Sequence, residues 1–197
     1  MSDNIIYFLT AAIIALFAAH FIAQYVRSRS ADEWSPPKKG SRMALLGINA
    51  RLRDFYRLAV LIEEGGREVY LELARMAKTP ETRALCSGLA ESEAAHKQLF
   101  QDYIERWDTL PPNKAEWPVL LEQMKKAGIF EDRPARGARE DELAWWAIRQ
   151  EIKTADFYLL FEHSFPDSWR KLRMHELVQE EREHERKIRS AYPHLPA

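Results

Sequence analysis

The sequence predicts an all-α chain: a four-helix bundle of two related helix pairs, preceded by a single transmembrane helix. Three observations predict it. Glu-x-x-His occurs twice, as Glu93-Ala94-Ala95-His96 and Glu181-Arg182-Glu183-His184, 88 residues apart. Glu63 lies 30 residues before Glu93, Glu151 lies 30 residues before Glu181, and each is followed seven residues later by a tyrosine, Tyr70 and Tyr158. Ahead of both copies, Ile5 to Val26 runs for 22 residues without a formally charged side chain.

As a helix that N-terminal run is about 33 Å long at about 1.5 Å per residue, enough to span a bilayer. A cleaved signal peptide fits less well, because its leading region should be basic and Met1 to Asn4 offers only Asp3. Arg27 and Arg29 follow at once, then Lys38, Lys39 and Arg42. Positive charge on that flank predicts a single-pass anchor in a bacterial-type inner membrane with the C-terminal domain in the cytoplasm. His20 and Gln24 within the span are expected to face a partner helix or headgroups, since no second metal-binding residue accompanies His20. Pro36-Pro37 and Gly40 mark an exposed linker. The organisation is therefore 1–27 anchor, 28–43 linker and 44–197 helical domain.

Within the domain, periodicity predicts a first helix over Ala44–Ala77 and a second over Pro80–Trp107, with Thr79 as N-cap and Pro80 at the first helical position. Pro111, Pro112, Pro118, Gly128, Pro134 and Gly137 then crowd the stretch from Asp108 to Glu140. They make it a long crossover, with a short amphipathic helix expected over Trp117–Phe130. A third helix is predicted over Glu140–His163. Ser164-Phe165-Pro166-Asp167 breaks it before a fourth over Ser168–Ala191.

Residues three and four apart share one helix face. Cys86, Leu89, Glu93, His96, Phe100 and Tyr103 follow that spacing, as do Met174, Leu177, Glu181, His184 and Ile188. Glu63 and Tyr70 sit in the stripe Leu52, Tyr56, Ala59, Glu63, Gly66, Tyr70, Leu73. Glu151, Thr154 and Tyr158 sit in Ala144, Ala147, Glu151, Thr154, Tyr158, Phe161. Carboxylates on core stripes are costly unless something compensates them, so the pattern points to metal ligation. A carboxylate and an imidazole one turn apart can reach a single ion, and carboxylate-rich sets with a minority of imidazole suit iron or manganese.

The stretches Glu63 to Tyr70 and Leu89 to His96 look like the first two helices of the rubrerythrin-like branch of the ferritin-like superfamily, and Glu151 to Tyr158 with Glu181 to His184 look like the last two. The resemblance covers roughly residues 45–190. It implies a ferritin-like bundle with a long crossover between helices 2 and 3. It also implies two Fe ions per chain, with Mn as the alternative, held by Glu63, Glu93, His96, Glu151, Glu181 and His184. Four carboxylates and two neutral imidazoles would bring two Fe²⁺ ions to neutrality. Rubrerythrins that reduce peroxide carry an extra carboxylate one turn after the third-helix Glu, where this chain has Thr154. The ligand set is thus more symmetrical and closer to the ferroxidase centre of bacterioferritin. Di-iron oxidation carries over, but exchange between His and that extra Glu does not. Tyr70 and Tyr158 either orient ligands and pass electrons or simply pack. Gly66 either brings helices close or leaves space for a bridging oxygen ligand.

A net charge of −1 excludes a global basic field for nucleic acid. The single cysteine, Cys86, excludes a rubredoxin-type centre within these residues, since that centre needs four. Electrons must come from an external donor. Cys86 is expected to be a small core residue, Trp145 and Trp146 core or interface aromatics, and His163, His175 and His194 ordinary histidines. The leading expectation is a membrane-anchored di-iron oxidoreductase consuming peroxide or O₂, with Fe²⁺ among the candidate reductants, and a homodimer. A membrane di-iron hydroxylase or quinol oxidase, and an accessory subunit of a larger membrane complex, are the alternatives.

Overall fold

The computed structural model describes residues 13–22, 52–105, 117–135, 137–162 and 168–196. The linker with Pro36-Pro37 and Gly40, the start of the first expected helix at Ala44, the end of the second at Trp107 and the break at Ser164 to Asp167 lie outside them, as does His163. Of the apolar N-terminal run, residues 13–22 are helical and carry exposed Ile13, Leu16, Phe17 and Phe21. The rest of the Ile5 to Val26 stretch is outside the described residues. Among those described, no helix is long and apolar enough to cross a membrane.

Among the described residues, five helices make the domain: α1 (Leu52–Met76), α2 (Pro80–Glu105), α3 (Trp117–Lys126), α4 (Glu140–Phe161) and α5 (Ser168–Ala191). Thr79 caps α2, its Oγ1 accepting the Thr82 N–H at 3.1 Å. Helix α3 stops at Lys126, short of the expected Phe130, because Gly128 takes φ 72° and a Schellman turn closes the end. There Ile129 N donates to Met124 O and Gly128 N to Lys125 O, each at 2.9 Å.

Helix α1 packs chiefly on α2 and α4 on α5, while contacts of α1 with α4 and of α2 with α5 close the bundle. Two apolar plugs fill it. One joins Phe55, Tyr56, Phe100, Phe157, Tyr158 and Phe161 with Met174 and Leu177. The other joins Val69, Leu73, Cys86, Leu89, Leu143, Ile148 and Ile188. The first plug takes the early part of α1 and the late part of α2, the second the reverse, and α4 and α5 alternate likewise, so each pair is antiparallel. Each fully buried Leu or Phe contributes about 1.5–3 kcal/mol, which is what holds the polar layer between the plugs together.

The crossover is tied down by charge. Arg133 pairs with Glu68 and, at 2.8 Å, with Glu72 on α1. Glu131 receives Arg149 at 2.9 Å and Lys153 at 2.6 Å from α4, and the Arg149 guanidinium is the main reason its carboxyl is held below the ordinary range. Trp146 lies in the second plug and donates Nε1–H to Asp132 O at 3.0 Å, and Trp145 packs at its edge under the Arg149 guanidinium. Cys86 is fully buried, and burial pushes its thiol up to about 11, which makes it inert. His175 pairs with Glu162 and His194 with Asp141 at the surface, the His194 ring also meeting Tyr192 edge-on.

Candidate metal centre

Between the plugs, α1 contributes Glu63, α2 Glu93 and His96, α4 Glu151, and α5 Glu181 and His184. Each is at most 5% exposed. Because each lies in the middle of its helix, a layer of charge is sealed at both ends by hydrocarbon. Donor atoms of Glu93, Glu151, Glu181 and His184 lie within 4.8 Å of one another, and so do those of Glu63, His96 and Glu181. The structure thus brings all six sequence-predicted ligand candidates into one cluster.

Both imidazoles turn Nδ1 inward. His96 Nδ1 is 3.1 Å from Glu181 Oε1 and 3.4 Å from Glu63 Oε2. His184 Nδ1 is 3.0 Å from Glu93 Oε1, 3.5 Å from Glu181 Oε2 and 3.7 Å from Glu151 Oε2. The rings stack with centroids 5.7 Å apart. The two oxygens of Glu181 therefore face different histidines. Glu93 is placed differently, with Oε1 toward His184 and Oε2 against Gly66, 3.2 Å from where a Cβ on that residue would stand.

These atoms are close without being aligned as hydrogen bonds. Both oxygens of Glu63 and of Glu181, Oε1 of Glu93, and Nδ1 of both histidines are buried with no hydrogen-bond partner. Buried polar atoms in folded proteins are nearly always paired, so seven orphans converging on one layer are the arrangement of ligands around ions. The donor set, four carboxylates with two imidazoles, fits a pair of divalent iron-like cations.

In the protein without metal, burial, with Glu93 and Glu181 adding repulsion, pushes Glu63 well above the usual carboxylate range. Burial with the same neighbours does this to Glu151. Burial alone would lower the histidines. Glu181 outweighs it at His96, and Glu151, Glu181 and Glu93 outweigh it at His184, which is pushed up to about 12. Burial would raise Glu181, but the positive charge of the neighbouring His184 and His96 imidazoles holds it low.

Two tyrosines that the repeat makes equivalent behave differently. Tyr70 donates its hydroxyl to Glu151 Oε1, whereas the Tyr158 hydroxyl is buried and has no hydrogen-bond partner. Thr154 is buried one turn past Glu151 and adds no charge. Of the two expectations for Gly66, close approach of the helices is the one the packing supports, because the Glu93 carboxylate of α2 lies against it. Sequence reasoning missed Glu180, whose Oε2 meets His96 Nε2 at 2.6 Å. It lies off the apolar stripe, and its one signal was the mismatch with Ser92, its counterpart in the repeat.

A helical bundle with this buried Glu/His layer defines the ferritin-like di-iron class. Within that class, a family model described as Rubrerythrin matches residues 54–192. The chain belongs to the rubrerythrin family, whose members bind di-iron centres. No curated protein and no solved structure matches it.

Proposed function

We propose that this protein is a di-iron oxidoreductase, held at a membrane by Ile5 to Val26, that reduces peroxide or O₂ with electrons from an external donor. The observation that carries the reading is the convergence of seven unpartnered, buried donor atoms from four helices on one layer. Bound there, two irons would supply two-electron redox chemistry. Glu63 and His96 would hold one, Glu151 and His184 the other, and Glu93 and Glu181 would be shared.

The remaining residues set the conditions. Tyr70 fixes the orientation of Glu151 through its hydroxyl. The plugs around Tyr158 and Leu73 keep bulk water away on both sides. Thr154 adds no further carboxylate, which favours oxidation by both O₂ and peroxide over a strong peroxide preference. The apolar N-terminal run and the basic Arg27 and Arg29 support an inner-membrane position with the domain in the cytoplasm, where a membrane-associated donor would reach it.

Anaerobic loading with Fe²⁺ followed by rapid mixing with H₂O₂ or O₂ tests the reading. Oxidation by both is expected, and Thr154→Glu should raise the preference for peroxide. An iron-loaded protein that reacts with neither oxidant contradicts the catalytic reading and favours an accessory subunit.

A further inference from the structure

The repeat that builds the site is broken in the layer just outside it. His96 points Nδ1 into the site, so Nε2 carries its proton and donates to Glu180 Oε2 at 2.6 Å. Glu180 is itself held by Arg173 Nη1 at 3.2 Å. The residue that stands to His184 as Glu180 stands to His96 is Ser92, 88 positions earlier. Its hydroxyl makes no bond to His184 Nε2, and no other described side chain does. Instead His184 lines a cleft of about 290 Å³ together with Gly88, Ser92 and Lys187.

The carboxylates are unequal too. Glu151 accepts the Tyr70 hydroxyl, which draws charge from it. Glu63, the counterpart of Glu151, has no hydrogen bond on either oxygen and keeps its full donor strength. A carboxylate behind a histidine makes that imidazole a better ligand and fixes its tautomer. Both differences therefore act in one direction, enriching the ligands on the His96 side.

We propose that the two metal positions are inequivalent: the one at Glu63 and His96 binds Fe²⁺ more tightly than the one at Glu151 and His184, with Glu180 as the positioning residue. This rests on the di-iron reading of the site. The His96 position fills first and empties last, and the His184 position exchanges metal through the cleft beside Ser92.

Anaerobic titration of the metal-free full chain with Fe²⁺ against a competing chelator tests the proposal, with Mössbauer spectra at one and two equivalents. Two resolved steps are expected, about tenfold or more apart, with a single iron species at one equivalent. Glu180→Gln should weaken the first step about 10- to 100-fold and leave the second nearly unchanged. The Glu180 side chain is 41% exposed, so this change leaves the core intact. Ser92→Glu is the converse test, and should tighten the second step alone. A chain that takes up two irons with one affinity, or a Glu180→Gln variant that weakens both steps equally, overturns the inequivalence and leaves the site reading standing. A chain that takes up no iron overturns both.

Discussion

Replacing Gly66 by alanine should have opposite effects on the metal-free and iron-loaded protein. In mid-helix the change is worth up to about 1 kcal/mol through helix propensity and reduced freedom of the unfolded chain. Against that, the new Cβ would stand 3.2 Å from Glu93 Oε2, 3.4 Å from its Cδ and 3.6 Å from its Cγ. Without metal the carboxylate can give by a few tenths of an ångström, so the domain should be about as stable or up to about 1 kcal/mol more so. With iron bound, Glu93 is pinned and cannot retreat. An overpacking cost of about 1–3 kcal/mol then falls on the bound state, which is roughly 5- to 150-fold in iron affinity. Gly65→Ala is the control, because nothing lies within 4 Å of its would-be Cβ. It should stabilise both states alike. Urea unfolding with and without Fe²⁺ under anaerobic conditions, beside a chelator competition, gives the two numbers. If Gly66→Ala keeps wild-type iron affinity and stabilises both states as Gly65→Ala does, the claim that Gly66 makes room for Glu93 is refuted.

Protons should compete with iron. Glu63 and Glu151 are raised from an ordinary value of 4.5 and His96 and His184 from 6.5, so the folded, metal-free chain holds more protons than the unfolded one. Its stability should fall as pH rises from about 5 to 8, while iron affinity climbs and each of those four groups releases up to one proton on binding. Denaturation against pH and calorimetry in buffers of different ionisation enthalpy check this, and metal-free stability that rises over that range would contradict it. Tyr70→Phe should cost the metal-free protein about 1–3 kcal/mol by leaving the buried Glu151 carboxyl without its hydrogen bond. Tyr158→Phe, which removes only an unpartnered hydroxyl, should be close to neutral; equal losses in unfolding experiments would deny Tyr70 its special part. Residues 35–197 expressed alone should be soluble and helical, while the full chain fractionates with membranes. Protease added to right-side-out vesicles should spare the domain, and its removal would reverse the proposed orientation.

Much of this was legible because a metal layer forces polar residues onto apolar stripes. Glu63, Glu93, His96, Glu151, Glu181 and His184 stood out by spacing alone, and the bounds of α5 and the Thr79 cap followed from local chemistry. What spacing cannot carry is the contact between different helices. The repeat gives Tyr70 and Tyr158 one role, but only the packed bundle puts a carboxylate oxygen on the Tyr70 hydroxyl alone. Glu180 looked like one more charged surface residue until α5 lay beside α2. The occupant of the space at Gly66 depends on which way the Glu93 carboxylate turns, which no helical pattern encodes.

Iron content per chain is the most direct measure of the central claim that these six side chains form a two-metal centre. Anaerobic loading, removal of loose metal and elemental analysis should return two irons per wild-type chain. Glu181 turns its two oxygens toward different histidines, and Glu93 Oε1 faces His184. Glu93→Ala and Glu181→Ala together should therefore strip ligands from both positions and leave well under two irons on a chain that remains helical. Retention of two irons by that double variant would contradict the account.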